Sequence, residues 1–208
     1  MLRLLVLLTL CLTSIGYAGQ MAITDTGDEV ILNSDGTWQY VDGSSQEQSI
    51  KTNDEIFTRP ETSTFLLKST RNSASVYINP KEWSFKKGDA DTTDAEYEFS
   101  LKDGDLYGQI ITEGIFVPLE NLGEIALDNF KSVAPDGRIT KQEYRNVNGI
   151  KVMHQEMQGT SQGIAFIFSC YYYSDDSGST QLVTYTSLNL FEKYQNNIYG
   201  FLNGLSVQ

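Results

Sequence analysis

The sequence predicts an α+β fold in which helices cover an antiparallel sheet and a small β-hairpin precedes that sheet. Residues Ile164–Tyr173 are apolar or aromatic on both strand faces, which indicates a central strand covered on both sides. Asp-Gly and Asn-Gly pairs separate several apolar runs, as is typical of tight turns between antiparallel strands. Two further segments carry apolar residues every three or four positions, the spacing of helices that lie on a sheet.

The first element, residues 1–18, has the pattern of a signal peptide. Arg3 supplies a positive charge, and Leu4–Leu12 is an apolar run too short to span a bilayer. Small residues at Gly16 and Ala18 predict cleavage after Ala18. We therefore expect an exported, soluble protein in the periplasm or the extracellular medium, with no integral membrane segment after cleavage.

Cys11 leaves open an alternative, a membrane-anchored envelope lipoprotein. Leu10 stands where a lipidation signal requires a small residue, so the signal-peptide interpretation is favoured. Cleavage after Ala18 would leave Cys170 as the single cysteine. An exported protein that uses disulfides needs paired cysteines, so we expect Cys170 to be a buried apolar residue instead.

The 208-residue chain carries a formal net charge of -12. Its length fits one domain with appendages. The negative charge argues against a nucleic-acid partner, because phosphate binding requires clustered Lys and Arg. It also disfavours electrostatic docking on anionic lipid.

Residues 19–42 are predicted to form the N-terminal β-hairpin. Glu29–Asn33 and Thr37–Val41 flank an Asp35-Gly36 turn. This hairpin resembles a short "DGTW" strand motif found near the mature start of various exported bacterial proteins. Residues 43–61 are polar and are predicted to be a linker.

Residues 62–208 are predicted to form the main domain. The first helix stripe contains Leu119, Leu122 and Phe130, with Pro118 at its start. The closing stripe runs from Leu190 to Leu205, with Asn189 as its predicted cap. The predicted strands are Phe65–Leu67, Ser75–Ile78, Trp83–Phe85, Glu96–Leu101, Leu106–Ile111, Arg138–Arg145, Ile150–Met157, Ile164–Tyr173 and Thr180–Thr186.

This domain resembles the PsbP-like family in the pattern and order of its segments. The similar parts are Tyr77–Trp83, the Asn148-Gly149 hairpin, Ser177–Thr186 after the aromatic strand, and Phe201–Leu205 in the closing helix. The resemblance implies a PsbP-like α/β/α sandwich. It also implies a non-enzymatic binding or assembly factor, and it carries no binding residue across to this chain.

The residues Gly159–Gly163 match the G-x-S-x-G pattern of a nucleophile elbow. That elbow requires a helix after the serine, whereas a strongly predicted strand follows Ser161. The only histidine, His154, precedes the serine and has no second histidine with which to form a typical metal site. We therefore predict no catalytic residue, no metal and no cofactor; a secreted serine hydrolase using Ser161 and His154 is the alternative.

Tyrosines are concentrated in the last third of the chain. Buried tyrosines usually pack and hydrogen-bond through the hydroxyl, but an outer set can also line a groove. The groove candidates are Tyr171, Tyr173 and Tyr185. We expect an exported, non-catalytic binding or assembly accessory protein, whose partner is another envelope or secreted protein or a small apolar ligand.

Overall fold

The computed structural model describes residues 20–24, 29–32, 38–41 and 50–208. The chain divides into two compact units, Met1–Ser49 and Ile50–Gln208. The predicted signal peptide, its cleavage site and Cys11 lie outside the described residues, as does the predicted Asp35-Gly36 turn.

The first unit contains a three-stranded antiparallel sheet in the order β1-β2-β3. Its strands are β1 (Gln20–Ile23), β2 (Glu29–Leu32) and β3 (Trp38–Tyr40). β2 and β3 pair antiparallel, with Leu32 opposite Trp38, as the predicted hairpin requires. β1 pairs with the other side of β2, so the unit has one strand more than the sequence predicted.

The second unit is a mixed α+β domain. Its elements are β4 (Thr52–Phe57), β5 (Phe65–Lys68), β6 (Ala74–Ile78), β7 (Trp83–Lys87), β8 (Tyr97–Leu101), β9 (Tyr107–Glu113), α1 (Leu119–Val133), β10 (Arg138–Val147), β11 (Ile150–Ser161), β12 (Ile164–Asp175), β13 (Gly178–Ser187), α2 (Phe191–Leu202) and β14 (Leu205–Val207). An eight-stranded sheet has the order β4-β10-β11-β12-β13-β9-β8-β7, and a smaller sheet has the order β14-β6-β5. Every neighbouring pair in the large sheet is antiparallel except β4 and β10.

The predicted central strand lies in the middle of the large sheet as β12. Its side chains alternate between two cores, as the period of a strand requires. Tyr171 packs in the first core, with α2 and the small sheet, whereas Cys170 and Tyr172 pack in the second core, under α1. The prediction that both faces of this strand are covered is confirmed.

The first helix agrees with its prediction. Pro118 precedes Leu119, and Leu122 and Phe130 are buried against the sheet. Its neighbours in the sheet are β10, β11 and β12. α1 therefore covers the half of the sheet that contains those strands.

The closing helix differs from its prediction at both ends. A short 3-10 turn, Leu188–Leu190, leads into α2, so Asn189 does not cap the helix. At the other end, Leu205 belongs to β14, which pairs with β6. Because Leu205 continues the helical apolar spacing, the sequence pattern alone did not separate it from the helix.

The predicted linker, residues 43–61, needs a correction. Thr52–Phe57 within it forms β4, an edge strand of the large sheet. The backbone N–H of Tyr144 donates to the carbonyl of Lys51 at 2.8 Å, and that of Asn148 donates to Phe57 at 2.9 Å. The second unit consequently begins at Ile50 rather than at residue 62.

Among the described residues, no helix has both the length and the apolar character that a membrane span requires.

Candidate functional site

On the side of the large sheet that carries α1, the helix leaves half of the sheet uncovered. On the side where α1 lies over β10–β12, the strands β13, β9, β8 and β7 present their side chains beyond the helix. We call this surface the open face. Its side chains, assigned from strand register, are Gln181, Val183, Tyr185, Tyr107, Gln109, Ile111, Glu98, Ser100, Ser84 and Lys86.

A concavity of about 430 Å³ lies on the outer part of the open face. The Ser84 and Ser100 hydroxyls are 2.8 Å apart. Beside them, Lys86 Nζ lies 2.6 Å from Glu98 Oε2. Tyr107 and Tyr185 form the inner side of the concavity. The concavity therefore combines aromatic rings with a small number of polar groups.

A continuous run of aromatic rings crosses the open face from β9 to α1. Tyr107 stacks on Tyr185 with ring centroids 5.5 Å apart, and Tyr185 stacks on Phe168 at 5.2 Å. Phe168 then contacts Phe130 of α1 at 4.8 Å. This order follows from strand pairing, because Tyr185 lies opposite both Tyr107 and Phe168.

A second, smaller space lies where α1 overhangs the sheet. We call it the crevice; its volume is about 200 Å³. It adjoins the concavity, because Gln109 and Val183 in its wall are two residues along the strands from Tyr107 and Tyr185. The residues that line the crevice are Gln109, Ile111, Ala126, Asn129, Phe130, Val133, Met157, Phe168, Cys170, Tyr172, Gln181 and Val183.

The ionisable groups of the crevice stay protonated near neutral pH. Burial raises the pKa of the Cys170 thiol to about 12. Burial, and then the neighbouring Cys170 thiol, raise the pKa of the Tyr172 hydroxyl well above its ordinary value. Since a thiolate is the reactive form of cysteine, this crevice is suited to binding rather than to nucleophilic chemistry.

The three predicted groove tyrosines do not line one groove. Tyr171 is 0% exposed; its hydroxyl accepts a hydrogen bond from Arg145 and donates one to Asn203. Tyr173 is half-buried beside the first core, and its hydroxyl donates to Asp175 at 3.0 Å. Only Tyr185 of the three lies on the open face.

Tyr107 and Phe168 are neighbours of Tyr185 that the sequence pattern did not reveal. Their proximity depends on which strands pair and in which register, and β9 is far from β13 in the sequence. The tyrosine-rich composition was the available signal. It could not distinguish the α1 side of the sheet from the α2 side without the register.

The alternative serine-hydrolase site is not assembled. Ser161 ends β11, and a Gln162-Gly163 turn leads directly into β12, so the helix that an elbow requires is missing after Ser161. His154 lies seven residues earlier on the same strand, about 23 Å away at the usual rise of a strand. Its Nε2 atom instead lies 3.0 Å from the Ser169 hydroxyl.

His154 belongs to a polar cluster inside the protein. It is 0% exposed, and burial, followed by the positive charge of Arg145, lowers its pKa to about 3. Arg145 Nη2 lies 2.5 Å from Glu143 Oε1, and the Tyr199 hydroxyl donates to Glu156 at 2.7 Å. The Tyr199–Glu156 hydrogen bond joins α2 to β11, and Arg145 of β10 lies over the Tyr199 ring at 5.3 Å. The neutral imidazole packs among these groups, with its ring 5.8 Å from that of Tyr199.

The parts of the chain that the structure describes contain no group of three or more His, Cys, Asp or Glu side chains placed to hold a metal ion.

Comparison with known proteins shows similarity in structure rather than in sequence. No family model and no curated protein matches the chain. The cyanobacterial PsbP protein CyanoP from Synechocystis is 11% identical, with 72% of this chain and 95% of that chain covered and a TM-score of 0.52. This similarity shows that the chain has a PsbP-like fold.

Two further solved structures are more distant. A putative regulator of unknown function from Pseudomonas aeruginosa is 11% identical, covering 69% of this chain and 96% of its own, with a TM-score of 0.43. LpqN, a protein involved in cell envelope biogenesis of Mycobacterium tuberculosis, is 7% identical, covering 70% of this chain and 92% of its own, with a TM-score of 0.47. No comparison supports the predicted relation of Asp35–Trp38 to the "DGTW" motif.

Proposed function

We propose that this chain is an exported, non-catalytic binding protein that holds a small ligand on the open face beside α1. The observation that carries the proposal is the concavity, together with the adjoining crevice, on the half of the sheet that α1 leaves uncovered. The PsbP-like fold supports an accessory role, and the predicted signal peptide supports export.

The size and lining of the site favour a small molecule. The concavity of about 430 Å³ falls within the range of small-molecule sites, about 300–1,000 Å³. Such sites typically combine aromatic and apolar walls with a few polar groups. The stacked rings of Tyr107 and Tyr185, with the Ser84 and Ser100 hydroxyls beside them, fit that description.

The side chains of the site that could act as nucleophiles are not activated. The hydrogen bond from Lys86 to Glu98 raises the pKa of Lys86, which keeps the amine protonated. Cys170 remains a thiol, as described above. Ser84 and Ser100 hydrogen-bond to each other, and nucleophilic catalysis by a serine requires an adjacent general base. A binding role therefore accounts for the site better than catalysis.

The test uses the full chain, recovered after export and incubated with a metabolite and lipid extract of the source cells. Bound small molecules are then released and identified by mass spectrometry. We expect one compound class to be retained by the unaltered protein. Ser84→Trp, which fills the concavity, should retain at least about tenfold less, equivalent to 1.4 kcal/mol.

Thr52→Trp is the matched control, because Thr52 is an exposed hydroxyl residue in the edge strand at the opposite side of the sheet. It should retain the ligand as the unaltered protein does. Retention of nothing above background by the unaltered protein would overturn the proposed function. Equal retention of the ligand by the Ser84→Trp and Thr52→Trp variants would show that the ligand does not bind on the open face.

A further inference from the structure

The run of aromatic rings on the open face stops at Tyr107, although the sheet continues beyond it. Strand pairing places Ser100 opposite Tyr107 and Ser84 opposite Ser100. Directly opposite residues of paired strands lie on the same face of the sheet, so both serines share a face with Tyr107. The next two positions of the run therefore carry short side chains where the earlier positions carry rings.

The concavity lies above these two short side chains. Neighbouring strands are about 4.8 Å apart, so the two serine positions together span about 10 Å. The rings of the run have nearly the spacing of the strands, since the centroids of Tyr107 and Tyr185 are 5.5 Å apart. The concavity is consequently wide enough to hold one further ring at the same spacing.

The outer face of the Tyr107 ring is turned toward the concavity. Its inner face stacks on Tyr185, with the two ring planes 24° apart. Tyr107 is nevertheless 40% exposed, and it lines the concavity on the side next to Ser100. A flat ring above Ser100 would continue the stack, and stacked aromatic rings attract each other beyond the area that they bury.

The polar groups of the concavity limit the charge of its ligand. Of the described residues that line it, Lys86 and Glu98 carry formal charges, and their ion pair leaves no net charge. The Lys86 ammonium has three donor protons, and the Ser84 and Ser100 hydroxyls keep acceptor sites beyond the bonds that they make. A complementary ligand is therefore neutral and has both a donor and an acceptor.

We propose that the concavity binds a neutral, planar ring with a polar substituent, and that this ring stacks on Tyr107 above Ser100. The substituent hydrogen-bonds with Lys86 and Glu98 at the end of the concavity. This inference rests on the proposed function and deepens it, because it names the chemical class of the ligand and the residue on which the ligand stacks.

Four small probes separate the shape of the ring from its charge. Benzamide is neutral and planar, whereas cyclohexanecarboxamide has the same amide on a puckered ring. Benzoate and benzamidine keep the planar ring and carry a negative and a positive charge. Two-dimensional NMR titration of the full chain gives each affinity and shows which signals move. Benzamide should bind about fivefold more tightly than cyclohexanecarboxamide, the value of one stacked aromatic pair, and at least as tightly as either charged probe.

The Tyr107→Leu variant tests the stacking partner. It removes the ring at an exposed position, so the fold should be retained, and it should bind benzamide and cyclohexanecarboxamide equally. Phe116→Leu is the matched control, because it removes an exposed aromatic ring between β9 and α1. That control should keep the preference for benzamide.

The Ser100→Phe variant tests the position of the ligand. It places a ring beside Tyr107 where the ring of the ligand is proposed to lie. Titration with benzamide should then no longer move the signal of Tyr107. Unchanged benzamide binding by this variant would contradict the inference.

Other outcomes also overturn it. These are equal affinity of the unaltered protein for benzamide and cyclohexanecarboxamide, a preference that survives in Tyr107→Leu, tighter binding of a charged probe, or no binding at the concavity. The proposed function fails separately. A non-planar compound that is retained from the cell extract but lost in Ser84→Trp would uphold the proposed function while overturning this inference.

Discussion

Glu96 is a buried carboxylate that is held by hydrogen bonds. It is 2% exposed. It accepts from the Ser69 hydroxyl at 2.8 Å, from the Thr70 N–H and hydroxyl at 2.7 Å each, and from the Thr112 hydroxyl at 2.5 Å. Burial raises the pKa of Glu96, but these four donors outweigh burial and hold it below its ordinary value.

We expect Glu96→Gln to lower the free energy of unfolding by about 2–3 kcal/mol, because an amide cannot accept from all four donors. Glu98→Gln is the control. Glu98 forms its ion pair with the exposed Lys86, so that variant should lose about 0–1 kcal/mol. Urea unfolding at pH 7 measures both, and equal losses would contradict the special role of Glu96.

The lowered pKa of Glu96 predicts that the protein loses stability in acid. Its folded-state pKa lies below the unfolded value, so the unfolded chain binds the proton first as pH falls. The contribution of Glu96 to the free energy of unfolding is fully present above its pKa in the unfolded chain. It is lost as pH falls through its pKa in the folded protein. Comparing urea midpoints of the unaltered protein and Glu96→Gln from pH 6 to pH 3 tests this, and the two curves should converge in acid.

The lowered pKa of His154 predicts a second change of stability with pH, at a higher pH than that of Glu96. Its folded pKa of about 3 is below the unfolded value of about 6.5, so stability should be greatest above about pH 6.5 and decrease toward pH 3. The chain has one histidine. His154→Gln should therefore flatten the curve of unfolding free energy against pH between pH 5 and 7. An unchanged slope would show that another group causes the pH dependence.

At the scale of elements, the end of α2 is fixed by a close approach of two backbones. The Tyr77 N–H donates to the Gly204 carbonyl at 2.8 Å. A Cβ atom added at Gly204 would lie 2.1 Å from the Tyr77 carbonyl oxygen. This contact lets the chain leave the helix and enter β14 within three residues of Leu202.

Two glycines near this helix end should respond in opposite ways to alanine. Gly204→Ala should cost more than about 2 kcal/mol, because the obstructing atom belongs to a paired backbone. Gly200→Ala should stabilise by about 0.5–1 kcal/mol through helix propensity, since its nearest neighbour would be Pro60 Cγ at 3.6 Å. Thermal unfolding of the pair is the measurement, and a stable Gly204→Ala protein would contradict the close contact.

The elements that the sequence predicted well are those with a strong internal pattern. The stripe from Leu119 to Val133 and the two-faced apolar run that became β12 needed no tertiary information. β4 has the polar sequence of Thr52–Phe57 and is a strand because it pairs with β10. The site follows the same rule. Tyr185 was recognisable as a candidate from the sequence, whereas its stacking on Tyr107 and Phe168 could be known only from the strand order.

For the whole molecule, the two sides of the large sheet are covered unequally. α2 and the small sheet share the core on one side, while α1 covers β10–β12 on the other. The open face follows from this difference rather than from any short motif. A scan for motifs therefore finds Gly159–Gly163, which is the end of β11 and the turn into β12, and misses the candidate site.

Export remains a prediction from the sequence. We expect the protein recovered outside the cytoplasm to begin at Gly19, which N-terminal mass spectrometry would show directly. An Ala18→Leu substitution should slow cleavage, because signal peptidase requires a small residue there. A mature protein that begins with lipid-modified Cys11 would instead establish the envelope-lipoprotein alternative.

The two tryptophans of the chain fall in different units, Trp38 in the first and Trp83 in the second. Trp83 is 3% exposed and lies against the ring of Phe201 at 4.6 Å. Each unit thus carries its own intrinsic fluorophore. The tryptophan emission of a Trp83→Phe protein comes from Trp38 alone, and that of a Trp38→Phe protein comes from Trp83 alone. Denaturation of the two units can therefore be followed separately in the intact chain without an added dye.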